Sequence, residues 1–274
     1  MSGPDFLCIG AQKSGTTWLD NVLRASESVW LPPIKELQFF NELFMPSSFT
    51  WTNEHRKSNA EIILKNNAGK KEVWLDLVRH IGFEKISYDW YEHIFSYANK
   101  MVCGEITPEY SLLSAKHVTE IKNSYPNLKI IFIIREPYSR ALSNIKMRML
   151  QKGLGDDSDP KEIKTFISNA VNDWDLTERG NYEKIISAWS KVFGEDKCLF
   201  ILLADIYSAP VEIVKHVAEF LNTEIDVTSI NLGSKVHVGR EVFIDEEDKN
   251  LIRLSQEKNI LWFNNNYKDF EIKL

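Results

Sequence analysis

The stretch Phe6-Leu7-Cys8-Ile9-Gly10-Ala11-Gln12-Lys13-Ser14-Gly15-Thr16-Thr17-Trp18-Leu19 constrains the rest of the chain more than any other. Residues 6 to 9 suit a buried parallel strand, and Leu19, Val22 and Leu23 resume at helical spacing after a glycine-bounded turn, in a helix of about four turns. In such a loop the glycines let successive N–H groups point inward and the helix N-terminus adds partial positive charge, so it binds an anion, most often a phosphate. The spacing Gly10-x-x-x-x-Gly15-Thr16-Thr17 approaches the nucleoside-triphosphate loop, which needs a lysine directly after its second glycine to reach the β and γ phosphates. That place is Thr16, and the lysine is Lys13, inside the loop. The bland alternative is a glycine turn with a solvated Lys13.

A second stretch with phosphate-binding residue types lies about 120 residues on. Leu128 to Ile134 is the most apolar short run and reads as the central parallel strand. Arg135 emerges at its C-terminal edge, Pro137 occupies a first helical turn where a missing N–H costs nothing, and Ser143 follows about two turns into the helix. A guanidinium grips phosphate bidentately and a serine hydroxyl adds a neutral donor. Arg140 reads as a surface or salt-bridge residue.

The run Gln12 to Trp18 resembles the lysine-serine-glycine-threonine-threonine-tryptophan loop of sulfotransferases that use 3′-phosphoadenosine 5′-phosphosulfate (PAPS). Arg135 with Ser143 resembles that family's 3′-phosphate site. The resemblance implies a nucleotide site made of Lys13, Ser14, Gly15, Thr16, Thr17, Trp18, Arg135 and Ser143, with Tyr182, at a helix start, bordering the adenine. Gly239 and Arg240, ahead of the last acidic helix, resemble a loop that closes over the 3′-phosphate, although Val238 stands where the family has lysine. The product would be adenosine 3′,5′-bisphosphate, and no metal is implied, because the lysine and loop replace it.

Lys35-Glu36-Leu37-Gln38-Phe39-Phe40 places two charges against an aromatic pair. If the rings anchor the segment in the core, Glu36 is partly dehydrated, which raises a carboxylate pKa and suits a general base. The bland reading is a surface Lys-Glu pair. The segment resembles the catalytic segment of glycosaminoglycan sulfotransferases, which would make Glu36 the base and place Lys35 at the substrate. Glu105-Ile106-Thr107-Pro108-Glu109-Tyr110 follows a strand over 101 to 104 and resembles the family's segment near the sulfuryl group, making Glu105 a substrate-binding candidate. Its structural alternative is a strand-end carboxylate. Ile106 replaces the family's lysine, so either Lys35 or Arg148 compensates or the acceptor geometry differs.

Elsewhere, residues 41 to 75 read as a long excursion with some helix, and one helix runs from Asp245 to near Tyr267. Of the 274 residues 43% are apolar and 26% charged, which suits a soluble globular protein in one domain over residues 1–274. Cys8, Cys103 and Cys198 each sit in an apolar run and read as buried reduced thiols. A net charge of −6 argues against general nucleic-acid binding. No run reaches the length of a membrane helix and no leader is visible, so the expectation is a cytoplasmic protein or a trimmed lumenal domain, of unstated oligomeric order.

The expected fold is a three-layer α/β sandwich with a mainly parallel central sheet and a P-loop-like nucleotide site. The expected activity is sulfuryl transfer from PAPS to an acceptor hydroxyl or amine, on a small molecule or a glycan, with a carbohydrate favoured. The alternatives are a kinase-like phosphotransferase, disfavoured by Thr16, and a catalytically silent nucleotide-binding module.

Overall fold

The computed structural model describes residues 3–67, 69–228, 230–232 and 242–267. Five strands, β1 (Phe6–Cys8), β2 (Val29–Trp30), β3 (Val102–Ile106), β4 (Lys129–Ile134) and β5 (Cys198–Leu202), pair in parallel in the order β2-β3-β1-β4-β5. Helices α1 (Thr16–Ala25), α2 (Phe39–Phe44), α3 (Thr52–Asn66), α4 (Glu72–Phe83) and α5 (Tyr88–Phe95) precede β3, and α6 (Ala115–Ser124) precedes β4. Between β4 and β5 come α7 (Pro137–Gln151), α8 (Pro160–Ala170), α9 (Trp174–Glu178) and α10 (Tyr182–Phe193). After β5 follow α11 (Leu203–Ser208), α12 (Pro210–Leu221), α13 (Glu246–Ser255) and α14 (Glu257–Asn266).

Alternate residues of a strand leave on opposite faces of the sheet, so a sheet covered on both sides needs apolar residues at every position. Leu7, Ile9, Ile130, Phe132 and Ile134 enter one core with Tyr91, Ile94 and Phe95 of α5, Ile121 of α6, and Ile185 and Trp189 of α10. Phe6, Cys8, Ile131 and Ile133 enter the other with Leu19, Val22 and Leu23 of α1 and Val214, Val217 and Leu221 of α12. These are the three layers expected. A further cluster joins α7, α8 and α13 through Ile145, Met149, Ile167 and Ile252. The three cysteines are buried and unpaired, and burial pushes the Cys8 and Cys103 thiols up to about 12 and Cys198 to about 11.

Some boundaries differ from expectation. The stretch 41–75 is largely helical, and the first half of the packed face of α3 buries the polar Thr52 and Arg56 ahead of Ala60, Ile63 and Leu64, which weakens its apolar period. Strand β3 continues through Glu105 and Ile106, because both pair with β1. The last helical stretch is two helices that meet at Gln256, and α1 is ten residues long, shorter than expected.

The connection out of β1 leads toward β2 and that out of β4 toward β5, on opposite sides of the adjacent β1–β4 pair. Open α/β sheets bind ligands in the crevice at the carboxyl ends of two such strands. That crevice receives the loop 9–15 from β1 and Arg135 from β4.

Candidate active site

The loop after β1, the candidate phosphate loop, is an extension of the strand that then turns away. Ile9 and Ala11 N–H groups donate to the carbonyls of Ile131 and Ile133, and Ile133 N–H donates to Gly10 O at 2.7 Å, so the loop's first half is fixed to β4. Lys13 and Gly15 both take positive φ, 67° and 91°. Gly15 is the N-cap of α1 and provides no side-chain acceptor; Trp18 N–H turns back to Gly15 O at 2.9 Å, and the Thr16 and Thr17 N–H groups, with no carbonyl within the helix, can meet an anion. At φ 91° a side chain on Gly15 would be strained, and its Cβ would also stand 2.7 Å from Leu203 Cδ1 of α11. Ser14 is fully buried, and its Oγ has no hydrogen-bond partner among the described residues. A buried hydroxyl in an amide-lined turn is the donor a phosphate oxygen requires. Thr16 is buried, Thr17 half-buried, and Trp18 is buried with its indole N–H donating to Leu232 O at 3.2 Å.

Arg135 is joined to this loop directly: its Nη1 donates to Lys13 O at 2.8 Å. Burial, and then the neighbouring Arg135, hold the Lys13 ammonium below the usual lysine range, and burial likewise lowers Arg135. Two cations brought together in a partly dehydrated crevice form a site that an anion relieves. Ser143 is half-buried on α7, two turns beyond the Arg135 strand end. The Tyr182 expectation needs correction. Its ring is 1% exposed, packed edge-on against Phe132, and its hydroxyl donates to Arg135 O at 2.7 Å. It offers no face to a base and instead holds the backbone from which Arg135 projects.

The segment bearing Glu36 is strained and clamped. Glu36 (φ 62°) and Gln38 (φ 58°) are non-glycine residues in the left-handed region, a conformation that persists only where its surroundings impose it. Phe39 and Phe40, both 0% exposed, pack against Tyr91, and this anchors the segment as expected. Both backbone groups of Leu37 are held: its N–H donates to Glu105 Oε2 at 3.3 Å and its carbonyl accepts from Arg56 Nη1 at 3.1 Å. Glu36 is half-buried and paired with Lys35 Nζ at 2.8 Å. Burial, and then Glu109, push its carboxyl above the usual carboxylate range, while Lys35 and His55 pull it back. The Lys35–Glu36 pair is therefore not a solvated surface pair.

Glu105 is the second correction. It is 2% exposed, and its carboxylate accepts from Tyr91 Oη at 2.6 Å, Tyr110 Oη at 2.8 Å, Thr107 Oγ1 at 2.7 Å and Leu37 N–H. A carboxylate has about four lone-pair sites, and with all of them engaged Glu105 positions the Glu36 segment and has nothing left for a substrate. Arg148 does not replace the lysine absent at Ile106. Its Nη2 is bonded to Asp173 and its guanidinium lies over Phe166, at the far end of α7. Arg140 is not on the surface: it is fully buried, bonded to Leu176 O, and lowered by burial to about 10. Gly239 and Arg240 lie outside the described residues.

Sequence reading missed a set of buried polar residues beneath the site. Glu109, 2% exposed, accepts from Gln12 of the loop at 3.1 Å, from Gln38 at 2.8 Å and from Arg179 at 3.2 Å, and Gln12 in turn accepts from Asn144 of α7 at 2.5 Å. Their separations of 70 to 132 residues leave no local signal. Among the described residues no helix is long and apolar enough to cross a membrane.

Residues 4–227 match the model of the Sulfotransferase family. Over 140 residues the chain is 24% identical to the membrane-associated sulfotransferase kil1 of Dictyostelium discoideum, a match covering 51% of this chain and about a fifth (22%) of that protein. Its fold is shared with a sulfotransferase from Alicyclobacillus acidocaldarius (TM-score 0.67, 19% identity, 98% of this chain and 97% of that one). It is shared too with the sulfotransferase domain of the Synechococcus PCC 7002 olefin synthase (TM-score 0.59, 14% identity, 99% and 97%). With the family match spanning most of the chain, including the loop after β1 and the arginine after β4, this protein belongs to the sulfotransferase family.

Proposed function

We propose that the protein transfers a sulfuryl group from PAPS to an acceptor hydroxyl or amine, working as one domain with its nucleotide site in the β1–β4 crevice. The observation that carries this reading is the bond from Arg135 to the Lys13 carbonyl, which places a second cation beside the phosphate loop and so favours a nucleotide with phosphates at two ends. The loop amides, Ser14, Thr16 and Thr17 hold the 5′-phosphate, Arg135 and Ser143 the 3′-phosphate, and Trp18 closes the loop's helix side. PAPS bound there supplies the sulfuryl group. Lys13 neutralises charge that grows on the bridging oxygen of the leaving phosphate, a contribution that usually dominates such transfers.

Glu36 is the residue we assign as general base. Its raised carboxyl and its fixed, strained backbone fit a group that takes a proton from the acceptor, and Lys35 beside it orients the carboxylate or meets the sulfuryl oxygens. The likeness of the Lys35 to Phe40 segment to glycosaminoglycan enzymes favours a carbohydrate acceptor.

The test is isothermal calorimetry with adenosine 3′,5′-bisphosphate, AMP and ATP, followed by transfer of labelled sulfate from PAPS into a glycan and metabolite panel. Preference for the bisphosphate with transfer into an acceptor supports the reading. Equal affinity for AMP and the bisphosphate would remove the 3′-phosphate site.

A further inference from the structure

Glu109 has no part in the chemistry assigned above, yet it sits where the two halves of the site meet. Its Oε1 accepts from Gln12, inside the phosphate loop, and its Oε2 accepts from Gln38, two residues beyond Glu36. Arg179, 5% exposed, lies against the same carboxylate and is also paired with Asp175 at 3.3 Å, so the charge on Glu109 is compensated within the fold. On the far side, Asn144 Nδ2 donates to Gln12 Oε1 and Asn41 Nδ2 donates to Gln38 Oε1 at 2.7 Å. Both glutamines thus have their amide oxygens taken and their amide nitrogens aimed at one buried acid, which determines their orientation.

We propose that Glu109 is a positioning residue that sets the distance and direction of the acceptor base relative to the donor loop, by holding Gln12 and Gln38 on the two oxygens of one carboxylate. This rests on the assignment of Glu36 as base and of the loop as donor site. Glu105, the other buried acid here, bonds to the Glu36 segment through Leu37 N–H, whereas Glu109 bonds to both segments. A buried, charge-assisted hydrogen-bond network resists displacement, whereas each segment alone is a strained turn with non-glycine residues in the left-handed region. A misplacement of about 1 Å in such a site costs on the order of a hundredfold in rate. The same carboxylate acts electrostatically on Glu36. The charged and titratable groups facing Glu36 are Lys35 of its own segment, His55 of α3 and Glu109. Of these only Glu109 pushes the Glu36 carboxyl upward, so removing its charge moves Glu36 down.

The decisive variant is Glu109→Gln, which keeps the shape, removes the charge and turns one acceptor into a donor facing a donor. We expect bisphosphate affinity within about threefold of wild type, kcat for transfer lower by about tenfold or more, and the KM for PAPS little changed. The Glu36 carboxyl, followed by carbon-13 NMR in the free protein and assigned with Glu36→Gln, should titrate at lower pH than in wild type. A residue that only stabilises the fold would lower the melting temperature and leave that titration in place. Gln38→Met, which cuts the tie on the Glu36 side and leaves the Arg179 pair intact, should reproduce the kcat loss if Glu109→Gln does not fold. Wild-type kcat in the folded Glu109 variant, or in Gln38→Met where the Glu109 variant does not fold, overturns the proposal, whatever the Glu36 titration does. If wild type transfers no sulfuryl group from PAPS, the functional reading fails, and the Glu36 titration still decides whether Glu109 governs that carboxyl.

Discussion

The Arg135 guanidinium donates to the carbonyl oxygen of Lys13 at 2.8 Å, so the cation that follows β4 braces the backbone of the lysine that follows β1. The two proposed grips on the nucleotide are therefore mechanically joined through the Lys13 backbone, and removing the Arg135 side chain disturbs the loop that carries Lys13.

Arg135→Ala should lower affinity for adenosine 3′,5′-bisphosphate by about tenfold to a hundredfold, the worth of a charge-assisted hydrogen bond. Because the brace is lost as well, AMP should also bind more weakly to this variant. Calorimetry with both ligands checks it; an unchanged AMP affinity would mean the brace does not shape the loop.

Lys13→Ala should act on the barrier more than on binding. Its ammonium is held below its usual range by burial and by Arg135, so losing it relieves one repulsion in the free protein. Turnover should fall by about a hundredfold or more while bisphosphate affinity falls less. Single-turnover rates with saturating PAPS measure this, and a normal rate in the bound variant would leave Lys13 as a grip alone.

Glu36→Gln should reduce turnover by about 10² to 10⁴. Its carboxyl is raised by burial and by Glu109, so the wild-type rate should climb with pH through a value above the ordinary glutamate range and fall on the acid side. The stability consequence has the opposite sign. A carboxyl raised in the folded state favours folding at pH below its unfolded value and loses that contribution as pH rises through the raised one. At neutral pH the Gln variant should therefore melt no lower than wild type. A marked drop in melting temperature would assign Glu36 a structural role.

Glu105→Ala should cost about 3 kcal/mol or more of folding stability, since it strands two tyrosine hydroxyls, a threonine hydroxyl and the Leu37 N–H in the core. Urea unfolding gives the value. A cost of only a few tenths of a kcal/mol would return Glu105 to the substrate side of the site.

What was legible in the chain was whatever depends on neighbours in sequence. The apolar runs at residues 6–9 and 128–134 mark strands buried on both faces because such strands cannot tolerate polar alternation. The loop between Gly10 and Gly15 could be read as a candidate anion site because its residue types are set by its own backbone geometry. The Phe39–Phe40 anchor was readable for the same reason. Tertiary structure alone decided the partners of the buried polar groups. Glu105 read as a substrate contact until its four donors, from α5, from the turn after β3 and from Leu37, appeared around it. Tyr182 read as an adenine contact until its hydroxyl was found on Arg135 O. Helix α3 was expected only as some helix within residues 41 to 75, its bounds hidden because it buries an arginine, and Glu109 was missed because its partners are distant along the chain. Hydrophobic burial leaves a period in the sequence; a hydrogen bond between two buried polar groups constrains only the pair, and the pair becomes adjacent when the sheet brings β1, β3 and β4 together.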